Sequence, residues 1–283
     1  MDGWITTVRL PFGQWMKLLI DVVQRHAAAP IDAFATVMKA AIEGTAKLLI
    51  LPPATVTIFA VTVFVWWLHR RWSLTAYAAA SLLAIANFGF WDATMETVAL
   101  VGFATLLSVA VGVPIGIAAA HRPWFADAIR PVLDLMQTLP TFVYLIPTLV
   151  LFGLGVVPGL VSTVIFALPA PIRLTQLGIA SVPVPLREAG EAFGATPRQL
   201  LWKVELPHAM PMIMTGVNQC IMLSLSMVVV AALVGAGGLG KPVVRALNTV
   251  NVAMGFEAGL AIVLVAILLD RVCKRPERRR RAT

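Results

Sequence analysis

The chain has 283 residues, of which 59% are hydrophobic and 13% are charged, whereas an ordinary soluble domain carries roughly 25% charged residues. This composition excludes an ordinary soluble domain and indicates a membrane protein. The net charge of +8 would suggest nucleic acid in a soluble protein, but here the basic residues lie between apolar runs. The lipid bilayer is therefore the expected partner, and nucleic acid is not. The apolar runs are unbroken, unlike the alternating strands of a membrane barrel, so the predicted fold is all-α and polytopic.

An amphipathic segment comes first, at 12–25. Its apolar residues recur at helical spacing: Trp15, Leu18, Leu19, Val22 and Val23. We expect this helix to lie on the membrane surface, within an extracytoplasmic N-terminal region 1–47. A short solvated helix would fit the same pattern.

The chain then contains seven apolar segments that could cross a membrane, which takes about 20 mainly apolar residues. They are 48–68, 74–91, 97–120, 132–152, 156–179, 209–234 and 255–270. About seven transmembrane helices are therefore predicted, two extra ones in 48–91 and the rest in a transport core 92–272. A basic cytoplasmic tail follows at 273–283. Gly112 and Gly116 would let two helices approach closely.

The loops between these segments differ in charge. With seven spans, 15 of the 22 basic residues fall on one side and seven on the other. The richer side is expected to be the cytoplasm, which places the N-terminus outside and the C-terminus inside. No ionisable side chain lies near the middle of a predicted span, which disfavours a proton- or sodium-driven secondary transporter.

Catalytic and cofactor sites are not expected. Cys220 and Cys273 lie far apart, and the sequence has no metal-ligand spacing and no Ser/His or His/Glu constellation, so an integral membrane enzyme is disfavoured. The run 235–240 matches the dinucleotide pattern G-x-G-x-x-G, but no strand precedes it. As a phosphate loop it would need a hydroxyl after Lys241, where Pro242 stands. A flexible turn is the expected role.

One long polar loop, 182–207, separates the fifth and sixth spans. It is predicted to form a short helix, a break at Gly194, and a second helix that starts at Pro197 after the N-cap Thr196. Such an element offers one side to a cytosolic partner by helix-in-groove docking. A plain interfacial loop is the alternative.

This loop resembles the signature E-A-A-x₃-G-x₉-I-x-L-P of permease subunits of bacterial ABC importers. The matching residues are Glu188, Ala189, Gly190 in place of the second Ala, Gly194, Val204 in place of Ile, Leu206 and Pro207. The resemblance implies a type I ABC importer permease fold, with the loop docked on a cytosolic ATP-binding subunit. It also implies a homodimer with two ATP-binding subunits, which carry out ATP hydrolysis, and an extracytoplasmic substrate-binding protein.

Flanking motifs narrow the family. The runs LMQTLPTFVYLIP at 135–147 and MLSLSMVV at 222–229 resemble the permeases of glycine betaine/L-proline and choline uptake systems. The resemblance covers about 90–275. It implies import of a small quaternary-ammonium or zwitterionic compatible solute across the bacterial inner membrane. An ABC permease for another small solute, such as an amino acid, stays open.

Polar and aromatic residues in the core could line the pathway of such a solute. The candidates are Gln137, Thr138, Phe142, Tyr144, Asn218, Gln219 and Ser224. Weak hydrogen bonds would pass a zwitterion without trapping it. The rings of Phe142 and Tyr144 could add about 0.5–1 kcal/mol of cation–π attraction to a quaternary ammonium, or they could simply pack the fourth span.

Overall fold

A computed structural model describes residues 11–274 as helices joined by short turns, with no strand in that part of the chain. The helices are α1 Phe12–His26, α2 Ala28–Ile50, α3 Ala54–His69, α4 Trp72–Asn87, α5 Trp91–His121, α6 Pro123–Thr138, α7 Thr141–Phe152, α8 Val156–Ala167, α9 Pro169–Ala180, α10 Val184–Ala192, α11 Pro197–Leu200, a π-helical turn Leu201–Glu205, α12 Leu206–Ala232, α13 Gly240–Asn248 and α14 Val252–Cys273. The all-α prediction is confirmed. Arg9, one of the 22 basic residues counted above, lies outside the described residues, and so do residues 275–283 of the predicted cytoplasmic tail.

The number of spans differs from the predicted seven. Four described segments are long and apolar enough to cross a membrane by themselves: α5, the pair α8–α9, 197–232 and α14. Two bent pairs raise the number to at most six. The predicted span 74–91 falls on α4, which has 16 residues, slightly fewer than the minimum of about 17. The chain turns at Gly89, where φ is 77°, before α5 begins.

Prolines cause the two sharp bends. The axes of α2 and α3 meet at 96°, where Pro52 and Pro53 interrupt the helix inside the predicted span 48–68. The axes of α6 and α7 meet at 98°, next to Pro140, inside the predicted span 132–152. Proline lacks the N–H that a continuous helix needs, and it disfavours helical geometry in the residue before it.

The helices of the core pack around α5 and α12. Close approach of α5 and α9 depends on two glycines, as predicted: a Cβ at Gly112 would lie 2.8 Å from Pro171 Cγ, and one at Gly116 would lie 2.6 Å from the Ile172 carbonyl oxygen. A buried cluster that includes Val101, Leu225 and Val265 joins α5, α12 and α14.

The helices before the core pack against it. Ile42 of α2 is buried in one cluster with Leu100 of α5. Val65 of α3 and Leu82 of α4 are buried with Leu268 of α14. The amphipathic segment forms α1, and its apolar side chains from Trp15 to Val23 are largely exposed, as a helix on a membrane surface requires.

Candidate coupling segment and translocation surface

The predicted helix break at Gly194 is confirmed, and local hydrogen bonds explain it. Helix α10 ends in two bonds typical of a glycine C-cap: Gly194 N–H donates to the Glu191 carbonyl at 2.8 Å, and Ala195 N–H donates to the Gly190 carbonyl at 3.0 Å. Gly194 has φ of 77°, which glycine adopts without the strain of a Cβ. The chain therefore turns back sharply at this residue.

The second half of the segment, α11, starts where the sequence predicts. Thr196 caps it, and a reciprocal capping box joins Thr196 to Gln199. The π-helical turn 201–205 then leads directly into α12. Pro207 lies just after it. Because Pro207 cannot donate to the carbonyl four residues earlier, a local widening of the helix accommodates this residue.

Sequence reasoning missed the side chain that holds the segment to the bundle, Glu205. It is 2% exposed, and its carboxylate lies 2.8 Å from His121 Nε2 at the end of α5 and 3.4 Å from Arg187 Nε of α10. Arg187 also donates from Nη2 to the Ile179 carbonyl at 2.7 Å. Three separate pieces of chain are thus joined at one buried carboxylate. In the sequence, the indication of this role was a charged residue directly before Leu206 and Pro207.

The seven predicted coupling residues divide between two surfaces. Glu188, Ala189, Gly194 and Pro207 are exposed. Gly190, Val204 and Leu206 are partly buried on the inner side, and a Cβ at Gly190 would lie 2.7 Å from Leu200 Cδ1. This glycine therefore lets α10 approach α11.

Large apolar side chains stand on the outer surface of the coupling segment. Phe193 is 92% exposed, and Trp202 and Val184 are also well exposed. Exposed aromatic and aliphatic groups of this size are typical of the central contacts of a protein interface. The surface suits docking in an apolar groove of a partner.

The pathway candidates on α6 and α7 lie around the 98° bend. Gln137 and Thr138 are exposed at the end of α6, and Phe142 is 58% exposed at the start of α7. Tyr144 is 7% exposed, and its hydroxyl donates to the carbonyls of Leu135 at 3.4 Å and Met136 at 2.5 Å. The Leu135 carbonyl also accepts from Leu139 N–H, whereas Pro140 cannot donate to the Met136 carbonyl, so Tyr144 supplies the partner that Met136 lacks.

Helix α12 carries the other three candidates on different faces. Gln219 is exposed, Asn218 is half-buried, and Ser224 is fully buried. Gln219 belongs to an exposed stripe whose members recur every three or four residues: Pro211, Thr215, Gln219, Met222 and Ser226. Thr215 and Ser226 donate to carbonyls of their own helix at 3.0 and 3.1 Å, which leaves Gln219 as the polar member of the stripe whose side chain could bond a solute. Helices α7 and α12 are in contact, so the helix that carries Phe142 lies beside the helix that carries the stripe.

A charged pair that joins α9 to α6 was also missed. Arg173 Nη2 of α9 lies 2.5 Å from Asp134 Oδ1 of α6. Arg173 lies within the membrane-length segment 156–180, and the opposite charge of Asp134 compensates its charge there.

The opposite end of the bundle holds the glycine-rich run. Gly238 N–H donates to Glu96 Oε2 at 2.6 Å, and Leu239 N–H donates to Thr97 Oγ1 at 2.8 Å. The predicted turn is present, with positive φ at Gly235 and Gly238, but side chains of α5 hold it in place. Among the described residues, no three His, Cys, Asp or Glu side chains lie close enough to hold a metal ion.

Comparison with known proteins identifies the family. Residues 112–282 match the family described as "Binding-protein-dependent transport system inner membrane component". The chain is 43% identical over 264 residues to the glycine betaine transport system permease protein OpuAB of Bacillus subtilis (strain 168), covering 93% of each chain. It is 44% identical over 263 residues to the glycine betaine/proline betaine transport system permease protein ProW of Escherichia coli (strain K12), covering 93% of this chain and 74% of ProW.

A solved structure has the same fold. The inward-facing MetNI methionine ABC transporter matches with a TM-score of 0.57 at 22% identity, covering 63% of this chain and 93% of that chain. The resemblance noted in the coupling loop and its flanks is confirmed. The chain belongs to the binding-protein-dependent transport family as a membrane permease subunit of an ABC importer; it is not an enzyme, and the ATPase is a separate subunit.

Proposed function

We propose that this permease imports glycine betaine and related quaternary-ammonium or zwitterionic solutes across the bacterial inner membrane. The observation that carries this proposal is the identity above 40% with permeases named for glycine betaine transport over 93% of this chain. Asn218 and Gln219 on α12 are uncharged and suit a solute with no net charge. An importer for a different small solute, such as an amino acid, is the second candidate.

The proposed assembly is a homodimer of this chain with two ATP-binding subunits. Each ATP-binding subunit would dock on the outer surface of the coupling segment, where Glu188, Ala189, Gly194 and Phe193 are exposed. The substrate-binding protein would deliver solute at the opposite end of the bundle, near the loop held by Glu96. This arrangement places the coupling segment and the C-terminus in the cytoplasm. The N-terminus lies outside if α4 also crosses the membrane, because the six spans and α4 together make an odd number.

The proposed pathway runs between the α6–α7 bend and the part of the α12 stripe from Gln219 to Ser226. Gln137, Thr138 and Gln219 would offer weak hydrogen bonds to the solute, whereas Asn218 lines a cavity on the side of α12 that faces α4 and α14. The exposed ring of Phe142 would contribute a cation–π contact of about 0.5–1 kcal/mol to a hydrated quaternary ammonium. Tyr144 and Ser224 are packed inside the subunit, and their proposed role is to support these helices.

Coupling in this proposal is a shift between inward-open and outward-open states. Closure of the ATP-binding pair moves the two coupling segments, and Glu205 transmits that movement to α5 and α12. ATP binding can bias the membrane part only through contacts that differ between the two states. The buried Glu205 cluster supplies contacts that connect the segment to both helices.

Uptake of labelled glycine betaine, proline and choline tests the solute. The whole complex, with its native ATP-binding subunit and binding protein, is expressed in a host that lacks its own carriers for these solutes. We expect saturable uptake of at least one solute that requires ATP. The control omits the ATP-binding subunit and should show no uptake; uptake in the control would favour a secondary transporter. Saturable uptake of none of the three would refute the solute assignment.

A further inference from the structure

A cavity of about 910 Å³ opens at the end of the bundle that carries the coupling segment. Its walls come from the end of α3, the start of α4, the first half of α12 and the end of α14. Helices α12 and α14 share a buried cluster farther along the bundle, at Leu225 and Val265. The cavity lies beyond that cluster, where Pro207 and Met210 of α12 face Ile267 and the residues after it.

The lining of this cavity is basic at one end; its sides carry apolar side chains together with the uncharged polar groups of Ser73, Tyr77, Thr215 and Asn218. The basic end contains His69, Arg71, Arg271 and Lys274, and the lining includes no carboxylate. Within residues 11–274, Lys274 is the one of these four side chains that pairs with a carboxylate: its Nζ lies 2.6 Å from Oδ2 of Asp270, which is just outside the lining. From Lys274 the sequence continues as RPERRRRAT, which adds further positive charge to this end of the chain.

Three polar atoms in the lining have no hydrogen-bond partner within residues 11–274. The first is Nδ1 of His69, whose Nε2 bonds the Lys274 carbonyl at 3.1 Å; the residue is 8% exposed. The others are the hydroxyl of Tyr77 and Oδ1 of Asn218. Buried polar groups without partners are rare because each costs free energy. A ligand with acceptor oxygens would satisfy the Tyr77 hydroxyl.

We propose that this cavity binds one anionic phospholipid. Its phosphate would lie among Arg71, Arg271 and His69, and an acyl chain would lie along Leu74, Met214 and Ile267. Free phosphate matches the basic end but leaves the apolar walls uncovered, whereas a phospholipid matches both. Basic pockets between membrane helices on the cytoplasmic side are suited to anionic headgroups. The inference rests on the cavity and not on the solute transported.

Native mass spectrometry of the full-length permease in a neutral detergent tests this site. The probes are dioleoylphosphatidylglycerol, dioleoylphosphatidylcholine and inorganic phosphate, each titrated into the wild-type chain. We expect one phosphatidylglycerol to bind more tightly than phosphatidylcholine, and inorganic phosphate not to displace it. The double variant Arg71→Gln/Arg271→Gln should bind phosphatidylglycerol about 30-fold more weakly, because each basic residue near an anionic headgroup contributes about fivefold.

A matched control removes two arginines outside the cavity. Arg122→Gln/Arg130→Gln changes the net charge equally and should leave phosphatidylglycerol binding close to that of the wild type. Leu74→Trp keeps the charge and fills the apolar wall, so it should also weaken lipid binding. An equal loss of phosphatidylglycerol binding in the two double arginine variants would refute a specific site. Displacement by inorganic phosphate, or equal binding of phosphatidylcholine, would refute an anionic phospholipid as its ligand.

Discussion

Replacing Glu205 with Gln should loosen the coupling segment from the spans it moves. The Glu205 side chain is 3% exposed; its carboxylate is hydrogen-bonded to His121 at 2.8 Å and forms an ion pair with Arg187 at 3.4 Å. Hydrogen bonds to charged groups contribute about 1.5–3 kcal/mol. The side chains of Arg187 and His121 are 34% and 44% exposed, so water can solvate them once Glu205 is neutral. Solvation of these two partners offsets part of the lost interaction. We therefore expect Glu205→Gln to weaken the attachment of the coupling segment by about 1–2 kcal/mol.

That loss favours the undocked segment by about 5- to 30-fold. In proteoliposomes with the complete complex, Glu205→Gln should therefore hydrolyse more ATP for each solute transported than the wild type does. The assay measures ATP hydrolysis and labelled solute uptake in the same vesicles and compares their ratio. Glu191→Gln is the matched control, because Glu191 is an exposed carboxylate on the same segment; its ratio should equal that of the wild type.

A double-mutant cycle separates coupling from general destabilisation. If Glu205 acts through Arg187, then Arg187→Gln should change the ratio in the same direction, and the double variant should add little to either single variant. A normal ratio of ATP hydrolysed to solute transported in Glu205→Gln would refute this reasoning. Fully additive effects in the cycle would show that the two side chains act separately.

Three further outcomes are expected. Gly194→Arg should insert in the membrane yet abolish solute-stimulated ATP hydrolysis, because it strains a left-handed position and adds charge to the docking surface; normal transport would contradict this. Gly116→Ala should lower the unfolding temperature, because the added Cβ clashes with α9 at a cost of about 1–3 kcal/mol. Gly102→Ala is the control and should leave the unfolding temperature unchanged, because a Cβ there meets nothing within 4 Å. Equal shifts in the two variants would contradict the role of Gly116 in helix packing. With Cys220 and Cys273 replaced by Ser, Lys241→Cys should react with an impermeant thiol reagent in intact cells and Arg279→Cys should not; labelling only at 279 would invert the topology.

The coupling segment could be predicted from sequence because its features are local. The glycine turn at Gly194 and the cap at Thr196 depend on residues within a few positions of each other, and both are found where expected. The role of Glu205 was not predictable in the same way. Its burial depends on His121, which lies 84 residues away along the chain, and no local pattern indicates that contact.

Hydropathy predicted the span count less well for a similar reason. A window average detects apolar composition, but it does not detect the bend between α6 and α7 or the length of α4. The pathway candidates illustrate the consequence. Phe142 and Tyr144 are two residues apart and equally aromatic, yet one is exposed and the other closes the bend with its hydroxyl. Their difference follows from tertiary geometry. The domain boundaries and the pathway itself stay predictions.

The continuity between the second coupling helix and the sixth predicted span has a mechanical consequence. Residues 197–232 form one helical segment of 36 residues, about 54 Å long. Its far end lies beside Gly155, whose N–H donates to the Val234 carbonyl at 2.8 Å, and next to the loop held by Glu96 and Thr97. A rod fixed at one end turns force at its free end into rotation. Movement of the docked segment would therefore tilt the whole 36-residue helical segment, with the largest displacement at the coupling end and the smallest beside Gly155.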